Sequence, residues 1–196
     1  MDVLDKLLGG SARVRLLRLF LLNPTTRFTA KEIGLKSKVV GPSLHKELRA
    51  LQKIKFIRKQ TNIHRLSNTF KFLAPLKNLL LATEPFRDSE IVSRFRNGGR
   101  IKLVLVAGIF NQKNSGDSRV DILLVGDNLK RNKIEKALHN MESEVGKELT
   151  YAIFETKEFK YRMEVYDKFV RDIMDHSHRI ILDKIGVGVP VGTTKL

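Results

Sequence analysis

The stretch FTAKEIGLKSKVVGPSLHKELRALQKIKFIRKQTNIHRLS, residues 28–67, decides the fold. Its apolar spacing predicts a short helix over 30–34 and a second over 41–53. Two short strands follow, 56–60 and 63–67, around a polar turn at Thr61-Asn62. In the second helix Val40, Leu44, Leu48 and Leu51 recur at helical spacing on one side. The other side carries Pro42, Lys46, Arg49 and Lys53, with Ser43 beside them. Pro42 stands near the helix start, where its missing N–H costs nothing. A helix greasy on one face and cationic on the other, entered through a tight turn, suits the reading of a nucleic-acid duplex. The greasy face anchors it, and the cationic face offers donors to phosphates and base edges.

Working outward, three pieces carry a resemblance: Thr29-Ala30-Lys31-Glu32-Ile33, then Val40-x-x-x-Leu44-x-x-x-Leu48-x-x-Leu51, then Phe56-Ile57-Arg58-Lys59. Together they resemble the winged helix-turn-helix domain of bacterial and archaeal transcription regulators, over residues 11–82. One departure is Ile54, where that family usually has a glycine ending the recognition helix. The resemblance implies that Ser43, Lys46 and Arg49 face the major groove of double-stranded DNA. It implies phosphate contacts for Lys36, Lys38 and Lys53. Arg58, Lys59, His64 and Arg65 on the wing would reach the backbone or the adjacent minor groove. A homodimer is expected, because one short helix reads too few base pairs. The plainer alternative is a small helical bundle whose basic face is merely solvated. Charge alone does not separate DNA from RNA, so RNA or ribosome binding stays open.

The charge is concentrated. The chain of 196 residues has a formal net charge of +16. Residues 6–77 hold 17 basic residues against Glu32 and Glu47, while residues 101–196 are nearly balanced. Positive charge gathered in this way draws polyanions and gives salt-sensitive binding. An apolar fraction of 42% is enough for real cores in one or two domains. There is no cysteine, which excludes disulfides and thiolate metal sites. Neither a signal peptide nor a membrane-spanning run is read, so a cytoplasmic, nucleoid-associated protein without a membrane partner is expected.

Before the central stretch, residues 2–8 predict a turn of helix ended by Gly9-Gly10. Ser11 is the expected N-cap of a helix over 12–22 with Val14, Leu17, Phe20 and Leu21 inside and Arg13, Arg15 and Arg18 elsewhere around it. After the wing, helices are expected over 75–82 and 88–96, the second starting at a cap, and Gly98-Gly99 marks the start of a second domain. That domain reads as strands over 101–107, 120–125, 149–154 and 179–182. A polar loop, 111–118, separates the first two. Helices are expected over 129–145 and 156–174, the latter burying Phe159, Met163, Tyr166, Phe169, Val170 and Ile173. The order β-β-α-β-α-β is a small α/β sheet domain. The fold expected is thus α+β in two domains, divided as 1–82, a helical connector 83–100, a second domain 101–184 and a mobile tail 185–196.

The segment LVLVAGIFNQKNSGDSRVDILLVGD, residues 103–127, looks like the opening of a nucleotidyltransferase of the DNA polymerase beta superfamily. That family has a strand, a Gly-Ser pair, a polar loop and Asp-x-Asp, with a third carboxylate on a later strand. The carboxylates hold two divalent metals. Here Gly108 is followed by Ile109, the first Asp position is Arg119, and Asp121 alone remains. On the later strand Thr150 and Ala152 lie inside, with acids only at the ends. A cation in place of a metal ligand opposes two dications. The expectation is a degenerate domain, not an enzyme, with no metal and no cofactor. It would serve dimerisation, or bind a nucleotide or protein partner through Gly108, Lys113, Arg119 and Asp121. A simpler reading pairs Arg119 with Asp121 or Asp117 at the surface. An active nucleotidyltransferase using Asp121 is the enzymatic alternative. His176-x-His178 lacks a third ligand nearby, and Gly186-Val-Gly188 opens no helix.

Overall fold

Residues 14–21, VRLLRLFL, lie in one helix whose leucines, Val14 and Phe20 cover most of its surface and are enclosed by neighbours. A computed structural model describes residues 3–83, 86–110 and 119–187, and Lys113 with the loop 111–118 and the tail from 188 lie outside them. Contacts divide the chain into two units, Met1–Pro85 with Leu138–Glu148, and Phe86–Ala137 with Leu149–Leu196. The class is mixed α+β. Among the described residues no helix is long and apolar enough to cross a membrane.

In the first unit the order is α1 (Val3–Leu7), α2 (Ser11–Leu22), β1 (Phe28–Thr29), α3 (Ala30–Ser37), α4 (Gly41–Lys53), β2 (Ile57–Gln60), β3 (Ile63–Leu66) and α5 (Leu73–Ala82). Ser11 does not cap α2. It is the first helical residue, and Gly10 precedes it at φ 130, a conformation that suits glycine. α3 opens with a capping box in which Thr29 and Glu32 satisfy each other's backbone N–H groups. Those bonds from Thr29 hold the Glu32 carboxyl below the ordinary carboxylate range. α3 runs three residues beyond the predicted end. Ser37 closes it, donating to the Ile33 carbonyl at 2.6 Å and accepting from Val39 N–H. The three strands form one antiparallel sheet in the order β1-β3-β2.

α4 ends in a Schellman motif. Phe56 N–H donates to the Leu51 carbonyl at 3.0 Å, and Lys55 N–H to Gln52 at 2.9 Å. The left-handed residue is Lys55 at φ 61, whereas Ile54, the position singled out from the sequence, lies at φ −84. Residues 138–148 join this unit through specific contacts. Buried Arg18, expected on the outside of its helix, donates to the Glu144 carbonyl at 3.1 Å, and Asn23 donates to the Gly146 carbonyl at 2.7 Å. Gly146, at φ +85, lies so close to α2 that a Cβ would sit 2.6 Å from the Arg18 carbonyl carbon.

The second unit contains α6 (Asp88–Arg94), β4 (Arg100–Ala107), β5 (Ile122–Asp127), β6 (Tyr151–Glu155), α8 (Thr156–Glu164), α9 (Lys168–Asp175) and β7 (His178–Asp183). α7 (Arg131–Val145) begins in it, and its residues from Leu138 group with the first unit. The segment expected to be a connector carries α6 and belongs to this unit from Phe86 onward. Asp88 is not the cap of α6. Arg87 holds that position, and Asp88 instead accepts from Arg179 at 2.8 Å. The sheet order is β6-β5-β4-β7, with β5 and β6 parallel and the other pairs antiparallel. The single helix expected over 156–174 is broken. Tyr166 takes φ 54, and the Asp167 carboxylate caps a new helix by accepting from Phe169 and Val170 N–H, each at 3.1 Å. The break leaves Phe159, Val170 and Ile173 buried but turns Tyr166 outward at 78% exposure.

Two stability effects follow from these backbone positions. Lys55→Gly should raise stability by roughly 0.5–1 kcal/mol in chemical denaturation, because glycine takes the left-handed conformation without the Cβ clash. Gly146→Ala should lower it by about 2 kcal/mol or more, through strain and backbone overlap together. Gly186→Ala, also at positive φ but with open space around it, is the control that carries the conformational cost alone.

Candidate nucleic-acid interface

The helical period sets the two faces of α4. Leu44, Leu48 and Leu51 are 6%, 4% and 2% exposed and lie in the core with Phe20, Ile33 and Phe56. Burying each leucine contributes roughly 2 kcal/mol. At 100° per residue, Pro42, Lys46, Arg49 and Lys53 then fall in one stripe on the far side, with Ser43 flanking it, and all five are exposed. Val40, expected on the buried side, is instead the N-cap residue and is 69% exposed. Gly34 allows α3 to approach α4, since a Cβ there would meet Leu44 at 3.4 Å.

The setting of α4 is locked by a residue the sequence pattern did not mark. Glu47 projects from the inner edge of the helix and is 8% exposed. Its carboxylate accepts from Arg13 Nε at 2.8 Å and Arg13 Nη2 at 3.4 Å, a forked pair joining α2 to α4. Arg13 also donates to the Leu8 carbonyl. An isolated acid within a strongly basic stretch was the available signal.

The other predicted contacts divide into three kinds. Lys46, Lys53, Lys59 and Arg65 are exposed, and among the described residues no ion-pair partner holds them. Arg49 is exposed and donates back to the His45 carbonyl at 3.3 Å. Lys36 and Lys38 are engaged inside the unit, Lys36 by Glu148 at 2.6 Å and Lys38 by Asn140. The bond and charge of Lys36 hold the Glu148 carboxyl below its ordinary range. Arg58 is anchored to Ser67 Oγ at 3.1 Å and Thr69 Oγ1 at 2.7 Å.

His64 is not on the surface of the hairpin. It pairs with Lys59 in the β2–β3 register and is 4% exposed, facing inward with Leu66. The Gln52 amide donates to its Nδ1 at 3.2 Å, which needs an unprotonated ring nitrogen. Burial, with Lys59 nearby, pushes its pKa below the ordinary 6.5. Lys55, Arg27 and Lys31 are exposed basic residues of the same unit that the sequence assignment left out.

In the second unit Asp121 is a backbone fastener. Its Oδ1 accepts from Ile109 N–H at 3.0 Å and its Oδ2 from Thr150 N–H at 2.9 Å. Gly108, at φ 51, opens the 3-10 turn after β4 that brings Ile109 to this carboxylate. Arg119 pairs with Asp172 at 3.2 Å, not with Asp121. Thr150 is exposed, against the expectation that it faces inward, while Ala152 is buried. Among the described residues no group of three or more histidine, aspartate or glutamate side chains is placed to hold a metal.

No protein-family model matches the chain, and no curated protein or solved structure matches it to a significant degree.

His64 makes the first unit sensitive to acid. As the pH falls through about 6.5, the unfolded chain takes up a proton that the folded state refuses, so stability declines below that pH. Thermal unfolding at pH 7 and pH 5 should show a smaller acid-induced drop for His64→Asn than for the unaltered chain. An equal drop in both would show that His64 does not carry the effect.

Proposed function

We propose that the first unit is a winged helix-turn-helix that binds double-stranded DNA and regulates transcription as a homodimer. α3 and α4 form the helix-turn-helix, the β2–β3 hairpin is the wing, and α4 is the reading helix. The observation that carries this is the division of α4 itself: three buried leucines and a clamped glutamate on one side, and Ser43, Lys46, Arg49 and Lys53 exposed on the other. Arg49 has the planar donor fork that recognises guanine edges, and Lys46, Lys53, Lys59 and Arg65 supply mobile charge for phosphates. Lys36 and Lys38 take a smaller part than the sequence suggested, because Glu148 and Asn140 already occupy them.

The second unit, on this reading, is a nucleotidyltransferase-like domain without its chemistry, which serves dimerisation or binds a nucleotide or protein partner. Arg119 in place of an expected carboxylate, and Asp121 spent on two backbone N–H groups, support that view. The site of action would be the nucleoid.

Binding to duplex DNA selected from a random library, followed by fluorescence anisotropy across salt concentrations, tests the proposal. Arg49→Ala should weaken binding to the preferred sequence by roughly 1–3 kcal/mol and relax its preference. Lys53→Ala should weaken all sequences alike and reduce the salt slope by about one. Stronger competition by duplex RNA or single strands than by duplex DNA would overturn the DNA assignment. Unchanged binding in Arg49→Ala would overturn the assigned helix face.

A further inference from the structure

Two arginines lie side by side on the three-stranded sheet, and a third stands just before its first strand. In the β2–β3 register Arg58 stands directly opposite Arg65, so both point to the same, outer face. β1 pairs with β3 from its other edge, Phe28 opposite His64. One further step of that antiparallel ladder sets Arg27, the residue before β1, opposite Arg65. Directly opposed like charges destabilise a sheet, as Arg58 and Arg65 are here, and Arg27 adds a third cation at the edge of β3. A hollow of about 300 Å³ is lined by these three arginines with Ser67, Asn68 and Thr69, and no acidic residue lines it.

One of the three arginines is held in place. Ser67 is 2% exposed, and its hydroxyl accepts from Arg58 Nε. Thr69 Oγ1 accepts from Arg58 Nη2 at 2.7 Å and lies 3.2 Å from Ser67 Oγ. These bonds consume the inner donors of Arg58 and leave Nη1 and the second N–H of Nη2 to a ligand. A fixed guanidinium, two more arginines lining the same hollow and no acid among them suit a tetrahedral oxyanion. A single carboxylate would neutralise only one of the three. A phosphate, carrying up to two charges and several acceptor oxygens, meets them better.

We propose that Arg27, Arg58 and Arg65 form a phosphate-binding site at the base of the hairpin, away from its Thr61-Asn62 tip. The phosphate belongs either to a small phosphoester or to a nucleic-acid backbone, and the chemistry of the seat is the same for both. The site does not depend on α4 reading a groove.

The full chain is titrated with inorganic phosphate and, separately, with adenosine 5′-monophosphate, at an ionic strength held constant with chloride. Arginine Nε–H resonances are followed in the labelled protein, the bonded Nε–H of Arg58 serving as the reporter. Saturable shifts are expected with phosphate and not with chloride. Arg27→Gln and Arg65→Gln should each weaken the phosphate response by about tenfold or more, consistent with loss of one charge-assisted bond pair. Their melting midpoints in chloride should be unchanged or raised, since each removes a like-charge contact. No saturation beyond the chloride response, or a response in both variants as strong as in the unaltered chain, would overturn the site. The same variants are then tested on duplex DNA. Parallel losses for phosphate and DNA assign the seat to the nucleic-acid backbone, and a loss confined to the small phosphates assigns it to a phosphoester ligand. Failure of groove reading appears instead in Arg49→Ala on duplex DNA, so the two ideas fail separately.

Discussion

Phe20 is fully buried, with Phe28 edge-on at 5.8 Å between ring centroids and Phe56 edge-on at 6.4 Å. Phe56 in turn meets Phe70 at 5.4 Å. This aromatic column gathers α2, β1, the junction of α4 with β2, and the approach to α5 into a single core. Phe56 is also the residue whose N–H closes the end of α4. The ring that docks in the core and the bond that stops the helix therefore belong to the same residue, and the rotation of α4 about its axis is fixed at that point. Slipping the helix by one residue would turn its faces by about 100°, exposing leucines and driving cations toward the apolar interior. The outward setting of Lys46, Arg49 and Lys53 thus follows from aromatic packing at Phe56 together with the Glu47–Arg13 pair.

Much of the positive charge in residues 6–77 is structural. Arg13 is clamped by Glu47, Arg18 reaches a backbone carbonyl, and Arg15 lies 3.8 Å from Glu144. Lys36 and Lys38 are met by the segment 138–148. Net charge alone would count all of these toward a polyanion surface. The structure separates cations that hold helices together from those that remain exposed. The outer stripe of α4 and the hairpin carry six of the exposed ones, Lys46, Arg49, Lys53, Arg58, Lys59 and Arg65.

The ends of α4 were legible because Pro42 and a run of leucines at helical spacing bracket it. The hairpin was legible because β-branched and apolar residues flank a polar turn. His64 could have been read correctly, since the period of two places it on the face of Leu66, but a basic neighbourhood drew it to the surface set. Glu47 and residues 138–148 were not legible for a different reason: their partners lie 34 and more than 100 positions away, beyond any local pattern. The break between α8 and α9 was hidden because Val165-Tyr166-Asp167 contains neither glycine nor proline. Only the carboxylate of Asp167 marks the new start.

Asp121 shows how a local role can mimic a chemical one. An acid after a glycine-bearing turn invites a metal-ligand reading, yet both its oxygens accept backbone N–H groups from two separate segments. A carboxylate so placed satisfies donors beside the ends of β4 and β6 and ties the two segments together. These two bonds give the residue a role in bracing the sheet. Arg119 is likewise accounted for by Asp172 on α9. Of the arginines at the first unit's sheet, Arg58 is held by Ser67 and Thr69, whereas no acid faces Arg27 or Arg65 within their hollow. Where packing already explains a residue's position, it argues little for function. Where like charges are set opposite one another without an acid between them, a binding role is worth testing.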